Sequence, residues 1–290
     1  MRRIFLLCVF SLISLNACHR DTIPPDPAET ALIKKGLDSY KYGKFNEALG
    51  SFADALRINP LSPEANFYSG AIYFHKKDYP SALAFFENGL KPDPDNPKML
   101  YNRALTYLET EQYDLAVKDF EECLKSDPKS WESYYYLGML SIKTAKDDQA
   151  PAYFLESQKL NPAYFWSYFL CGAAFYRSGD WKNAALQWTK AIEIQPSYAQ
   201  AYALRGLALY NSLLYKDSLI DLKKAMSMGY ADSIVPMTIA LDYYRMNDTV
   251  KAKDFLNKAK QDKELLTEAN LKLFPFTDYI RKSLGELLQK

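Results

Sequence analysis

Two histidines, four cysteines and several paired carboxylates are the groups in these 290 residues that could do covalent or proton-transfer chemistry. A hydrolytic triad needs an imidazole beside a nucleophile. His19 lies near the N-terminus and His75 at the end of a helical segment, and neither has such a companion in step with it. A metal site needs several His, Cys or carboxylate ligands at short, regular spacing, and no such spacing occurs. The carboxylate pairs Glu121-Glu122 and Asp147-Asp148 fall at helix surfaces and caps, where a solvated charge is the ordinary role. Asp147-Asp148 stands where a helix N-cap is needed. No glycine-rich phosphate loop is present. The chain therefore reads as a non-enzyme without cofactor or metal. Its 23 Tyr, 16 Phe and 4 Trp remain, and their chemistry is non-covalent: stacking and apolar contact.

The elements that must position those rings are set by a period. Pro60, Pro94, Pro128, Pro162 and Pro196 stand at a constant spacing of 34 residues. With each proline as position 32, repeats start at Glu29, Pro63, Pro97, Trp131, Phe165, Ala199 and Ser233. Position 8 is Gly36, Gly70, Ala104, Gly138, Gly172, Gly206 and Ala240. Position 20 is Ala48, Ala82, Ala116, Ala150, Ala184, Ser218 and Ala252. Position 24 is Phe52, Phe86, Phe120, Phe154, Trp188, Leu222 and Leu256. Small residues at 8 and 20 let two antiparallel helices approach closely, despite glycine's cost of about 1 kcal/mol in a helix. The large residue at 24 is expected to fill the space toward the next repeat. Proline at 32 ends the second helix. Apolar spacing is helical throughout, with no period-2 run.

A 34-residue helix–turn–helix period with these residues resembles the tetratricopeptide repeat (TPR). The resemblance covers residues 29 to about 262. Repeat seven is degenerate, with Pro236 early in its first helix, Glu264 in the proline position and Lys253 and Lys260 at usually apolar sites. In repeat four, Pro151 implies a shifted start of the second helix rather than a break. The implied fold is all-α: a right-handed superhelical solenoid of about seven repeats over 29–266, with a C-terminal helical cap over 267–290. In that family the first helix of each repeat lines a concave groove through positions 2, 5, 9 and 12. Here positions 5, 9 and 12 are apolar or aromatic, and position 9, often Asn in the family, is apolar in every repeat. The family's clamp for a terminal carboxylate is thus absent. Phe67, Tyr101, Tyr135, Trp166, Phe169, Tyr176 and Tyr210 are the expected groove-binding residues, for a peptide or helix segment.

The N-terminus supplies an address. Arg2-Arg3, an apolar run from Ile4 to Leu15 and Asn16-Ala17 form a signal peptide over 1–17. Leu15-Asn16-Ala17-Cys18 resembles the bacterial lipobox, which implies acylation of Cys18. Residues 18–28 are then the lipidated cysteine and a proline-rich tether. His19, where enterobacterial sorting would use Asp to retain a lipoprotein in the inner membrane, favours the outer membrane, on its periplasmic or surface face. A net charge of +1 gives no reason to expect nucleic acid as a partner. Cys123 and Cys171 fall at core positions two repeats apart and are expected as separate buried thiols. The expected function is a membrane-anchored scaffold or assembly factor in the bacterial cell envelope, with envelope proteins as partners. The alternative is a glycan-binding lipoprotein of the cell surface.

Overall fold

The computed structural model describes residues 26–146, 148–232 and 234–260. The signal peptide, Cys18, most of the tether and the C-terminal segment from 261, Glu264 included, lie outside the described residues. Those described form fourteen helices and no strand. The first helices of the repeats are α1 (Pro27–Lys41), α3 (Pro63–His75), α5 (Pro97–Glu109), α7 (Trp131–Lys143), α9 (Phe165–Arg177), α11 (Ala199–Asn211) and α13 (Ile234–Arg245). The second helices are α2 (Phe45–Ile58), α4 (Tyr79–Leu90), α6 (Tyr113–Ser126), α8 (Ala150–Leu160), α10 (Trp181–Ile194), α12 (Tyr215–Ser227) and α14 (Thr249–Lys260). Each helix packs on the one before and the one after, and contacts between first helices of adjacent repeats join α3 to α5, α7 to α9 and α11 to α13. This is the stacking of a solenoid, in which each repeat touches only its neighbours.

Five helix starts, those of α3, α5, α7, α9 and α11, coincide with the repeat starts read from the prolines. Two boundaries differ from expectation. Helix α1 starts at Pro27 with Asp26 as its N-cap, so the solenoid takes in residues assigned to the tether; proline is well placed at a first helical position. Helix α8 starts late, at Ala150, with Pro151 in its first turn, as the shifted-start reading requires. Its N-cap is Gln149, not the aspartate pair, because the proline fixes where the first turn can begin.

The small-residue rule is visible atom by atom. A Cβ added at Gly70 would lie 2.7 Å from Phe86, one at Gly138 2.8 Å from Phe154 and one at Gly172 2.7 Å from the Trp188 indole. The position-24 ring therefore lies over the glycine of its own repeat as well as filling the space toward the next. Phe52 stacks on Tyr68 at 5.8 Å and Phe120 on Tyr136 at 5.4 Å across repeat boundaries. Trp188 is also pinned by its indole N–H, which donates to the Phe169 carbonyl at 3.1 Å.

Candidate functional site: an aromatic inner face

Helices α3, α5, α7, α9 and α11 carry the seven expected groove residues, and the structure sorts them into two kinds. Phe67, Tyr101, Tyr135, Trp166 and Tyr176 are half-buried and present part of each ring to the surface. Phe169 and Tyr210 are buried core residues. Phe169 stacks on Phe165 at 5.5 Å and meets Tyr198 edge-on at 5.3 Å, while Tyr210 packs against Tyr215. Both are expected groove residues that present almost no surface in this structure.

The exposed rings join into two patches. In repeats three and four, Tyr101 meets Tyr136 at 6.1 Å, Tyr136 meets Tyr135 at 5.3 Å, Tyr135 meets Tyr164 at 5.1 Å and Tyr164 meets Trp131 at 4.5 Å. In repeat five, Trp166 rests between Phe165, Phe169 and Tyr198, with centroids 5.1–5.8 Å away. Tyr176 lies beyond, over Trp181 and Trp188, and its hydroxyl accepts from Asn211 Nδ2 at 3.0 Å. Phe67 stands apart in repeat two, against Tyr68. Burial raises the phenol pKa of Tyr135 far above its ordinary value, and that of Tyr176 to about 12. Both remain neutral rings at any physiological pH. Glu64 and Glu132, at position 2 on one rim, are likewise pushed up by burial.

Tyr164 and Tyr198 were not anticipated. They occupy position 34, the N-cap of the following helix, where other repeats use Ser62, Asn96, Ser130 and Asp232. Asn96 and Ser130 accept a hydrogen bond from the first turn of their helices, and Asp232 accepts from Ile234 N–H. Neither tyrosine caps its helix with a side-chain bond, and nor does Ser62. A lost cap costs about 1 kcal/mol, and here the ring that replaces it completes an aromatic patch. A large aromatic in a register otherwise filled by small polar residues is the signal that could have found them.

Cys123 and Cys171 are buried free thiols. Burial raises the Cys171 pKa to about 12, so it is no nucleophile. Among the described residues no His, Cys, Asp and Glu cluster could hold a metal ion, and no helix is long and apolar enough to cross a membrane.

Seven stacked helix pairs with rings along one face define a repeat solenoid built for contact. Models of the tetratricopeptide repeat match residues 33–97 and 97–130, and a TPR repeat model matches residues 172–212. The chain is a tetratricopeptide-repeat protein. No curated protein sequence matches it. Among solved structures it is similar to a tetratricopeptide repeat protein from Parabacteroides merdae ATCC 43184, with 18% identity and a TM-score of 0.57 over 91% of this chain and 100% of that one. It is similar to YrrB, described as a TPR protein with an unusual peptide-binding site, with 21% identity and a TM-score of 0.59 over 63% of this chain and 95% of that one. It is also similar to MamA from Desulfovibrio magneticus RS-1, with 22% identity and a TM-score of 0.56 over 60% and 98%. These likenesses show the fold.

Proposed function

We propose that the protein is a membrane-anchored scaffold that captures a peptide or helical segment of an envelope protein on the aromatic face of repeats two to five. The observation that carries this is the joined, half-exposed set Tyr101, Tyr135, Tyr136, Tyr164 and Trp131, made at the expense of a helix cap. Aromatic anchors in a shallow apolar surface are the usual hot spots of peptide recognition. The peptide-binding site of YrrB is consistent with such a role for this fold. No catalytic step is assigned. Photo-crosslinking in cells from Tyr135, followed by mass spectrometry, tests the reading. One recurrent envelope protein in the adduct supports it, and its loss on Trp131→Ala with Tyr164→Ala ties capture to the patch. An adduct pattern unchanged by that pair places recognition elsewhere.

The anchor rests on the lipobox-like Leu15-Asn16-Ala17-Cys18. Several acyl chains on Cys18 would hold the protein firmly, since a single chain gives only marginal binding. Cys18→Ser is expected to release the protein into the soluble envelope fraction. Undiminished membrane association of that variant would remove the anchor from the proposal. Glycan binding is the second reading, favoured by Glu132 beside Trp131 and Tyr135, since sugars need rings with polar partners. Quenching of tryptophan fluorescence by oligosaccharides, absent with envelope peptides, would select it.

A further inference from the structure

An end repeat has one neighbour instead of two, so its inward side chains should be the more exposed. In the first repeat Leu37 and Tyr40, at positions 9 and 12, are half-buried, and Ile33, at position 5, is 8% exposed. The last two repeats reverse the trend. Met237 is 3% exposed and Leu241 0%, with Tyr244 half-buried, while Leu207 and Tyr210 are 5% and 2%. Residue type does not account for this. Leu37 holds the same register as Leu207 and Leu241, and Tyr40 and Tyr176 the same as Tyr210. Met139, inward in repeat four, is half-buried. The helices packed on α13 are α11, α12 and α14, its neighbours within the stack.

We propose that the C-terminal segment, residues 261–290, folds back over the inward face of repeats six and seven and occupies that end of the groove. The chain leaves α14 at the end of repeat seven, whereas residues 1–25 join the stack at its opposite end. Thirty residues reach about 45 Å even as a continuous helix, and neighbouring helix axes stand about 8–10 Å apart, so the length suffices. The segment carries the matching chemistry: Ile280, Leu284, Leu287 and Leu288 make an apolar stripe at helical spacing. This rests on the groove reading above and deepens it. The segment leaves repeats two to five open for a partner and blocks its extension into repeats six and seven. A ligand long enough to reach Met237 must displace the segment.

Methionine oxidation by hydrogen peroxide in the full chain reads the cover directly, because thioether oxidation follows exposure. Met237 is expected to be as protected as the core residue Met99, with Met139 reacting readily. Glutamate at Leu271, Phe274, Ile280, Leu284 and Leu287 should raise the Met237 rate about tenfold, toward that of Met139, leaving Met99 protected. A synthetic 261–290 peptide should restore protection. Met237 reacting like Met139 in the unaltered chain overturns the proposal. So does continued protection in the variant, which would assign the cover to residues 1–25, a second copy or the repeats' own packing. Should Met99 also react, the variant has unfolded, and a photo-crosslinker at Tyr244 in the otherwise unaltered chain decides. An intramolecular adduct within 261–290 upholds the proposal, and any other adduct, or none, overturns it. Neither readout depends on partner capture at Tyr135, so the two ideas can fail separately.

Discussion

At position 8 one hydrogen atom sets how closely two helices approach. In repeat three that position is Ala104, and Phe120 accommodates it; both are fully buried. Repeat five cannot do the same, because Trp188 is larger and its indole is tied to the Phe169 carbonyl. Alanine at Gly172 would put a methyl 2.7 Å from that indole nitrogen. Overpacking of this kind costs about 1–3 kcal/mol, against a helix-propensity gain of about 1 kcal/mol. Gly172→Ala is therefore expected to destabilise the protein by about 1–2 kcal/mol, read as a lower urea midpoint. Ala104→Gly, where no clash is relieved, should cost about 1 kcal/mol through propensity alone. Equal effects at the two sites would show that the ring at 24 yields freely. The polar exceptions at this scale are two matched ion pairs. Arg103 and Arg205, at position 7, each grip a buried aspartate, Asp119 and Asp221, at position 23 of the same repeat through two bonds of 2.6 and 2.8 Å.

Between the helices of each repeat the chain makes the same turn seven times. Position 15 is left-handed in every repeat, with φ between 57° and 83°, at Gly43, Lys77, Glu111, Ala145, Gly179, Leu213 and Asn247. The N–H of position 16 donates to the carbonyl of position 11 at 2.8–3.0 Å, as in Asp78 to Tyr73 and Leu214 to Leu209. This is the Schellman closure, which favours glycine at the left-handed residue. Leu213→Gly should therefore stabilise the protein by about 0.5–1 kcal/mol, the left-handed cost at leucine less glycine's entropic cost. A fall in thermal midpoint would mean that exposed Leu213 makes a contact worth keeping. Glycine marks the turn in the sequence at Gly43 and Gly179 and asparagine at Asn247, whereas Lys77, Glu111, Ala145 and Leu213 carry no left-handed signature. Helix type and phase were legible because proline, glycine and alanine recur for steric reasons that do not depend on the ligand. The site was legible only in part. Register assigned Phe67, Tyr101, Tyr135, Trp166, Phe169, Tyr176 and Tyr210 to the groove, and in the structure Phe169 and Tyr210 are buried while the other five are half-buried. Exposure along a groove depends on what covers each repeat, which a period does not contain.

Across the whole solenoid the last boundary between repeats is set apart by a buried carboxyl group, although Thr106 already puts a buried hydroxyl at position 10 of repeat three. Position 20 of one repeat meets position 10 of the next, and in the clusters around Ala48 and Ile72, Ala116 and Leu140, and Ala184 and Ala208 both residues are apolar. Between repeats six and seven they are Ser218 and Asp242. Ser218 Oγ donates to Asp242 Oδ2 at 2.8 Å, while Oδ1 is buried without a partner. Burial raises this carboxyl to about 8 from an ordinary 3.8, only partly offset by the serine bond. The folded protein thus holds a proton on Asp242 that the unfolded chain releases. Stability from this group is complete below about pH 4 and is lost as pH rises toward 8, by up to about 1.4 kcal/mol per pH unit. Because each repeat contacts only its neighbours, the loss should fall on α13 and α14 and leave repeats one to five intact. Asp242→Asn keeps the shape and removes the titration. Urea unfolding at pH 6 and pH 9 is expected to show a low-urea phase from repeat seven that moves to lower urea at pH 9 in the unaltered chain. In Asp242→Asn that phase should stay fixed between the two pH values. A phase that shifts equally in both proteins would assign the pH dependence to other groups, and would leave Asp242 a neutral, hydrogen-bonded core residue throughout the range.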